Sequence, residues 1–246
     1  MKTKYMIVGL LAAGILAMGQ KVSQKEAEAW NAVISATTPD AKIAAVDSLI
    51  SKYKDTQFKS AALMMAGDAY QRKGDAPNAI VYGNRALEAD PKNFQAMLLV
   101  SGQLAQMTKE FDLDKDEKLK QASKLANDAI TTINAAAKPN PQLPDDQWAA
   151  IKKDMASQAH ETLGVIASID KKWDTAITEF KTAIDEAAHP EPSTMVRLTA
   201  TYNIAMKYDE AGAMADKVLA NPNVPDNLKK MAQDQKQRAL KGKTQK

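Results

Sequence analysis

The chain contains no cysteine among its 246 residues. It therefore forms no disulfide, offers no thiolate to a metal and has no cysteine nucleophile. Aromatic residues are sparse at 5%, and histidine occurs only as His160 and His189. The Asn-Gly, Asp-Gly and Gly-Gly dipeptides that mark tight hairpins are missing, as is sustained alternation of apolar and polar residues. These absences exclude a disulfide-stapled fold and favour an all-α one.

The first nineteen residues have the pattern of a secretory signal peptide. Lys2 and Lys4 precede an uncharged apolar run over 5–18, and the small residues Ala17 and Gly19 suit a cleavage site. We expect cleavage after Gly19 and export to the periplasm or the medium. The alternative is an uncleaved anchor, in which case the membrane contact is confined to 1–19. A run of about 14 residues is shorter than the roughly 20 that span a bilayer, which favours cleavage.

The overall charge is close to neutral. The formal net charge is +3, and loss of the two N-terminal lysines would lower it to +1. This balance argues against nucleic acid as the main partner. The segment 223–246 is rich in lysine, but Asp226 and Asp234 dilute its charge and it has no aromatic residue. It is predicted to be a polar capping helix with a basic tail.

All ten prolines fall where a helix can begin or end, because proline disrupts a helix interior. Ser23 with Glu26, and Thr38 followed by Pro39, are typical of helix starts. The apolar spacing between such breaks predicts eleven helices, at 24–36, 39–53, 57–73, 76–89, 93–107, 115–137, 145–170, 173–187, 193–206, 208–220 and 225–240.

A twelve-residue step between small residues recurs along the chain. It separates Gly67 from Ala79, Gly164 from Ala176, and Thr199 from Ala211. The copy at 60–93 contains Leu63, Ala66, Gly67, Tyr70, Gly74, Ala79, Ala86 and Pro91, and the copy at 157–190 contains Leu163, Gly164, Ala167, Trp173, Ala176, Phe180, Ala183 and Pro190. At these residues the sequence resembles the tetratricopeptide-repeat (TPR) family.

The resemblance implies an α-solenoid of stacked antiparallel helical hairpins. Gly67 and Gly164 would let paired helix backbones touch, while large residues such as Tyr70, Trp173, Phe180 and Tyr202 would fill the gaps between hairpins. Ser101 and Ala122 are twenty-one residues apart, which predicts an insertion near 107–116. The expected organisation is a degenerate first hairpin at 20–56, an array over 57–222 with units at 60–93, 94–141, 145–190 and 192–222, and the capping segment. The exit of the first hairpin is similar to repeats of periplasmic and outer-membrane-assembly factors.

No catalytic, metal or cofactor site is predicted. His160-Glu161 lacks the second histidine of a zinc helix, since Gly164 stands in its place. Neither histidine has an evident partner in the sequence, and His189 is expected at the carbonyl end of a helix. Asp112, Asp114 and Asp116 resemble the opening of a calcium loop but lack its glycine and its final glutamate. An acidic solvated loop is favoured, and calcium binding there stays open.

In the TPR family the first helices of successive hairpins line a concave groove that binds a peptide. Carried onto this sequence, that surface comprises Met64, Asp68, Gln71, Arg72, Gln95, Leu98, Gly102, Gln158, Glu161, Val165, Arg197, Ala200 and Asn203. The resemblance implies a non-catalytic scaffold that binds a protein or peptide. An accessory factor for assembly of an envelope complex, or an enzyme with an unrecognised site, are the alternatives.

Overall fold

The computed structural model describes residues 22–245, a range that contains eleven α-helices and no β-strand. The helices are α1 (Gln24–Ser35), α2 (Pro39–Lys52), α3 (Lys59–Arg72), α4 (Ala76–Ala89), α5 (Phe94–Met107), α6 (Lys115–Ala135), α7 (Asp145–Ile169), α8 (Trp173–Glu186), α9 (Pro192–Ile204), α10 (Tyr208–Ala220) and α11 (Asp226–Thr244). The all-α prediction is confirmed, and each predicted helix bound lies within four residues of the observed one. The expected cut after Gly19 lies outside the described residues.

The helix starts follow from local side-chain chemistry. The hydroxyl oxygens of Ser23 and Thr38 accept hydrogen bonds of 3.2 Å from the amides of Glu26 and Ala41, which α1 and α2 would otherwise leave without a partner. At the other end of α1, the buried amine of Lys42 donates to the carbonyl oxygen of Val33 at 2.5 Å. Burial lowers the pKa of Lys42.

The helices pair as five hairpins, α1 with α2 through α9 with α10, and each helix packs against the next along the chain. First helices of neighbouring hairpins also touch, since α3 packs on α5 and α5 packs on α7, and α9 packs in the same way on the capping helix α11. A hairpin alone cannot bury its apolar face, so the hairpins stack and the core runs along the array as successive buried clusters.

Three hairpins share one turn. Its middle residue adopts a left-handed backbone at Gly74 (φ 74°), Lys171 (φ 58°) and Met206 (φ 58°). The next amide then bonds back to the carbonyl five residues earlier, in Asp75 to Tyr70 (3.0 Å), Lys172 to Ala167 (2.9 Å) and Lys207 to Tyr202 (2.9 Å). This arrangement closes the first helix of each hairpin.

The connector between α5 and α6 is the predicted insertion. Where the shared turn uses three residues, this connector runs over 108–114. Glu110 pairs with Lys171 at 2.5 Å, and Lys115 pairs with Asp170 at 3.3 Å, so both ends of the insertion are fixed to the α7–α8 turn. Burial alone would raise the pKa of Asp170, but hydrogen bonds from Lys172 and Lys115 outweigh it and lower that pKa.

The small residues at the twelve-residue step are buried, but they act in two ways. At Gly67 an added Cβ would lie 3.3 Å from the backbone oxygen of Ala79, so the two backbones approach closely as predicted. At Gly164 the prediction is wrong in detail, because the atoms that a Cβ would meet, at 2.6 Å, belong to the ring of Phe180. Gly164 makes room for an aromatic side chain from its own hairpin.

The capping helix α11 continues to Thr244, four residues beyond the predicted end, because it packs on the last hairpin. Ala232 and Ala239 are buried. Lys236 pairs with Asp216 at 2.6 Å, and Lys243 pairs with Asp209. Within residues 22–245, no helix combines the length and the apolar character that crossing a bilayer requires.

Candidate partner-binding groove

A depression of about 440 Å³ opens between α7 and α9. Its walls include the apolar side chains of Val165, Ile169, Trp173, Phe180, Ala200 and Ile204. Val165 and Ala200, both expected in the concave surface, therefore lie on opposite walls of one cavity. Trp173 was expected to fill a gap between hairpins, but it leaves the gap open and forms part of the wall.

The rim of this depression carries charges that are paired within the protein. Arg197 Nε lies 3.4 Å from Glu161 Oε1, which joins two predicted groove residues across α9 and α7. Lys171, on the other side, pairs with Glu110 of the insertion. These ion pairs lie at the solvent-exposed rim, whereas the wall of the depression is apolar. A polar rim around an apolar pocket is typical of a site that binds a side chain.

A second depression of about 420 Å³ continues the first along α9 and α11. Both are lined by Ala200 and Ile204, so they meet along α9. Arg238 and Lys241 of α11 stand on the wall of the second one. We call the two together the C-terminal groove.

Asn203 was predicted to face a partner, and in the structure its side chain is held by the capping helix. Its side-chain amide donates to the carbonyl oxygen of Gln235 at 2.9 Å and to Gln235 Oε1 at 3.0 Å, which ties α9 to α11. Its own oxygen, Oδ1, is buried without a hydrogen-bond partner. No local pattern in the sequence indicates that the capping helix covers this position.

The insertion presents two large apolar side chains beside the groove. Phe111 is 88% exposed and Leu113 is fully exposed, while the neighbouring Glu110 lines the first depression. The loop that carries them is ordered by Asp112, whose carboxylate accepts a 3.0 Å hydrogen bond from the amide of Lys109. Phe111 and Leu113 were not predicted as site residues from the sequence. A phenylalanine and a leucine that lie between acidic residues do indicate an exposed apolar surface.

In the N-terminal half, two of the predicted groove residues pack against the core. Met64 is only 8% exposed and packs in a buried cluster with Leu63 and Leu99, so its predicted exposure is wrong. Leu98 packs against the core around Met97 and Ile133. A depression of about 640 Å³ does lie here, with Met64 and Gln95 on its wall, but the chain connectors at 54–57 and 89–93 form much of it.

The remaining predicted positions are ordinary helix surface. Asp68 and Arg72 form an ion pair within α3, and Gln71 is exposed beside them. Gln158 is half-buried, and its carbonyl accepts from Thr162 Oγ1 at 3.0 Å. An added Cβ on Gly102 would lie 3.8 Å from Thr162 Oγ1, which places α5 against α7 at this point. The predicted continuous surface is thus interrupted between the two halves.

Both histidines have partners that the sequence did not reveal. His160 Nδ1 lies 2.8 Å from Glu179 Oε2, and His189 Nδ1 lies 2.8 Å from Asp154 Oδ2 rather than against helix carbonyls. Asp112 and Asp114 of the acidic insertion are close to Lys118, at 3.9 and 2.8 Å. Over residues 22–245, no three acidic or histidine side chains gather as a metal site would require.

Comparison with protein-family models and with curated proteins finds no match. Solved structures do match. A thermophilic TPR protein, TTC0263 from Thermus thermophilus, gives a TM-score of 0.57 at 17% identity, covering 80% of this chain and 90% of its own. MamA from Desulfovibrio magneticus RS-1, from residue 41 to its end, gives 0.59 at 15% identity, covering 81% and 96%.

These comparisons define the class of fold. The described chain is an α-solenoid of helical hairpins. More particularly, it has the tetratricopeptide-repeat fold, so the resemblance drawn from Gly67, Gly164 and Thr199 is confirmed at the level of the fold.

Proposed function

We propose that this protein is a non-catalytic scaffold that binds an extended segment of a partner protein in the C-terminal groove. The observation that carries the proposal is the apolar depression between α7 and α9, with Trp173 and Phe180 on its wall. A volume of about 440 Å³ accommodates one or two large side chains and lies within the range of ordinary binding pockets. Phe111 and Leu113 extend the apolar surface beyond the groove.

Selection from a random peptide display library tests this proposal. We expect the purified chain to enrich peptides that bind with micromolar affinity. The variant Ala200→Trp should lower that affinity at least tenfold, because Ala200 lines both depressions and an indole would fill their junction.

The matched control is Ala213→Trp, an exposed position on α10 that lines neither depression. It should leave binding unchanged, and circular dichroism should show both variants to be as helical as the parent. If Ala213→Trp weakens binding as much as Ala200→Trp does, or if no peptide is enriched, the proposed function is wrong.

We further propose that the scaffold works in the cell envelope, either as a general binding module or as an accessory factor for assembly of an envelope complex. The support is the pattern of Lys2 and Lys4 before an apolar run and a small-residue cleavage site. Intact-mass measurement of the protein from its native host tests this. A mass lacking residues 1–19 is expected, whereas a mass that still includes them would indicate an anchored protein.

A further inference from the structure

The cations of the capping helix fall into two groups. Lys236 and Lys243 pair with carboxylates of α10, and Lys229 lies 3.5 Å from the carbonyl oxygen of Pro222. Arg238 and Lys241 differ, because no carboxylate among residues 22–245 pairs with either. Both side chains stand on the wall of the second depression.

This unpaired charge gives the C-terminal groove a polarity. In the first depression, Arg197 and Lys171 are neutralised by Glu161 and Glu110. In the second, the described lining contains two cations and no acidic residue. The groove therefore runs from an apolar, charge-balanced end at Trp173 to a positively charged end on α11.

A buried acceptor lies at the same positive end. Asn203 Oδ1 has no hydrogen-bond partner, and Asn203 lines the second depression. Because this oxygen is buried, the exposed cations Arg238 and Lys241, and not Asn203 Oδ1, can face a partner.

We propose that the groove is specific for an acidic peptide segment. An apolar side chain of the segment enters the depression at Trp173 and Phe180, and its aspartate or glutamate side chains face Arg238 and Lys241. This inference rests on the proposed function and adds the chemistry of the partner.

Fluorescence anisotropy with three labelled twelve-residue peptides tests the specificity. The peptides share two leucines and differ only in carrying four aspartates, four asparagines or four lysines. We expect the aspartate peptide to bind at least tenfold more tightly than the asparagine peptide, and the lysine peptide to bind least. The preference should shrink as salt rises from 50 to 500 mM, because salt screens exposed charges.

Charge-neutralising variants locate the effect. Arg238→Gln and Lys241→Gln should each weaken the aspartate peptide about threefold to fivefold, the scale of a single exposed ion pair, and leave the asparagine peptide unchanged. Lys230→Gln is the matched control, since Lys230 is an exposed lysine of α11 that pairs with no carboxylate among residues 22–245 and does not line the depression. It should leave all three affinities unchanged.

The outcomes separate this inference from the proposed function. Equal binding of the aspartate and asparagine peptides, with loss of both in Ala200→Trp, overturns the acidic specificity and keeps the groove. The acidic specificity of the groove is also overturned if Lys230→Gln lowers the affinity for the aspartate peptide as much as Arg238→Gln does. The attraction would then come from the overall charge of α11 and not from the groove. A single-stranded oligonucleotide that competes with the aspartate peptide would assign the positive end to nucleic acid instead.

Discussion

Helix α3 meets α5, and α7 meets α9, through equivalent positions of the repeat. Different residues occupy those positions at the two junctions. Leu99 and Arg197 each stand two residues before the small residue of their helix, Ser101 and Thr199. Leu99 lies so close over Gly67 that an added Cβ there would be 2.6 Å from its Cδ2. Arg197 instead stays 47% exposed and pairs with Glu161.

The residues that face Leu99 and Arg197 from the neighbouring first helix also differ in polarity. Met64 and Glu161 each stand three residues before the glycine of their helix. Met64 packs in the same buried cluster as Leu99, so this junction is apolar and closed. At the other junction an ion pair replaces the apolar pair, and a depression lined by Val165 and Ala200 lies open.

The second helices of the two hairpins also differ, in the size of the side chain at one equivalent position. The residue sixteen positions after the glycine of the first helix is Gly83 in one hairpin and Phe180 in the other. An added Cβ on Gly83 would lie 2.5 Å from Val100 Cγ2, so side chains of the next hairpin fill that space. In the α7–α8 hairpin, Phe180 fills it from within. The first depression therefore arises because different side chains occupy a common framework, and the comparison explains why the α7–α9 junction is more open than the α3–α5 junction.

The largest expected effect comes from Gly164→Ala, because an added Cβ would lie 2.6 Å from ring atoms of Phe180. A ring packed in a core cannot rotate away, and overpacking of this kind costs about 3 kcal/mol of the free energy of unfolding. Gly67→Ala meets the flexible end of Leu99 at 2.6 Å and the backbone oxygen of Ala79 only at 3.3 Å, so it should cost less, about 1 kcal/mol. Urea denaturation of both variants measures the difference.

Gly212→Ala is the control for these two glycines. It lies within α10, where an added Cβ meets nothing within 4 Å, so the change should stabilise the protein by about 0.5 kcal/mol. The double variant Gly164→Ala, Phe180→Leu should recover part of the loss. No recovery would show that Phe180 is not the side chain that limits Gly164.

A smaller effect is expected from copying the closed junction onto the open one. The double variant Glu161→Met, Arg197→Leu replaces the ion pair by the residues of the α3–α5 contact. Burial of the new apolar surface should raise the free energy of unfolding by about 1 to 2 kcal/mol. The same side chains should fill the first depression and lower peptide affinity at least tenfold.

Thermal unfolding and peptide titration check the two halves of this prediction. Arg197→Leu alone is the control, since it leaves the carboxylate of Glu161 half-buried without its partner and should not stabilise. If the double variant binds peptide as well as the parent does, the groove does not depend on the open junction.

Most of the fold could be predicted from the sequence because its signals are local. Ser23 and Thr38 bond to amides three residues ahead, and the spacing from Gly67 to Ala79 reflects one hairpin. The end of α11 could not be predicted in this way. Its last turns are held by contacts with α10, such as that between Lys243 and Asp209, which are 34 residues apart.

The groove could be predicted only in part for the same reason. Val165, Arg197 and Ala200, which follow from the repeat, do line the first depression, and their contact with a partner stays a prediction. The predicted exposure of Met64 was wrong because it depends on whether the neighbouring hairpin inserts an apolar side chain, here Leu99. The contact of Asn203 with α11 could not be predicted, because α11 lies outside the repeat pattern.

The smallest expected effect concerns the turn that the hairpins share. Gly74 and Met206 occupy the same left-handed position, with φ of 74° and 58°. A residue with a Cβ costs roughly 1 to 2 kcal/mol there. Glycine avoids that cost but loses about 0.4 to 1 kcal/mol through the greater freedom of the unfolded chain. Met206→Gly should therefore stabilise by about 0.5 kcal/mol, and Gly74→Ala should destabilise by a similar amount.

Met206 is the informative position because its side chain is 59% exposed and removing it costs little apolar burial. Lys171 holds the same backbone but also pairs with Glu110, so Lys171→Gly would lose an ion pair and fix the insertion less firmly. We expect Lys171→Gly to gain less than Met206→Gly by denaturant titration. A loss of stability in Met206→Gly would contradict this account, because it would mean that the methionine side chain contributes more than its backbone strain removes.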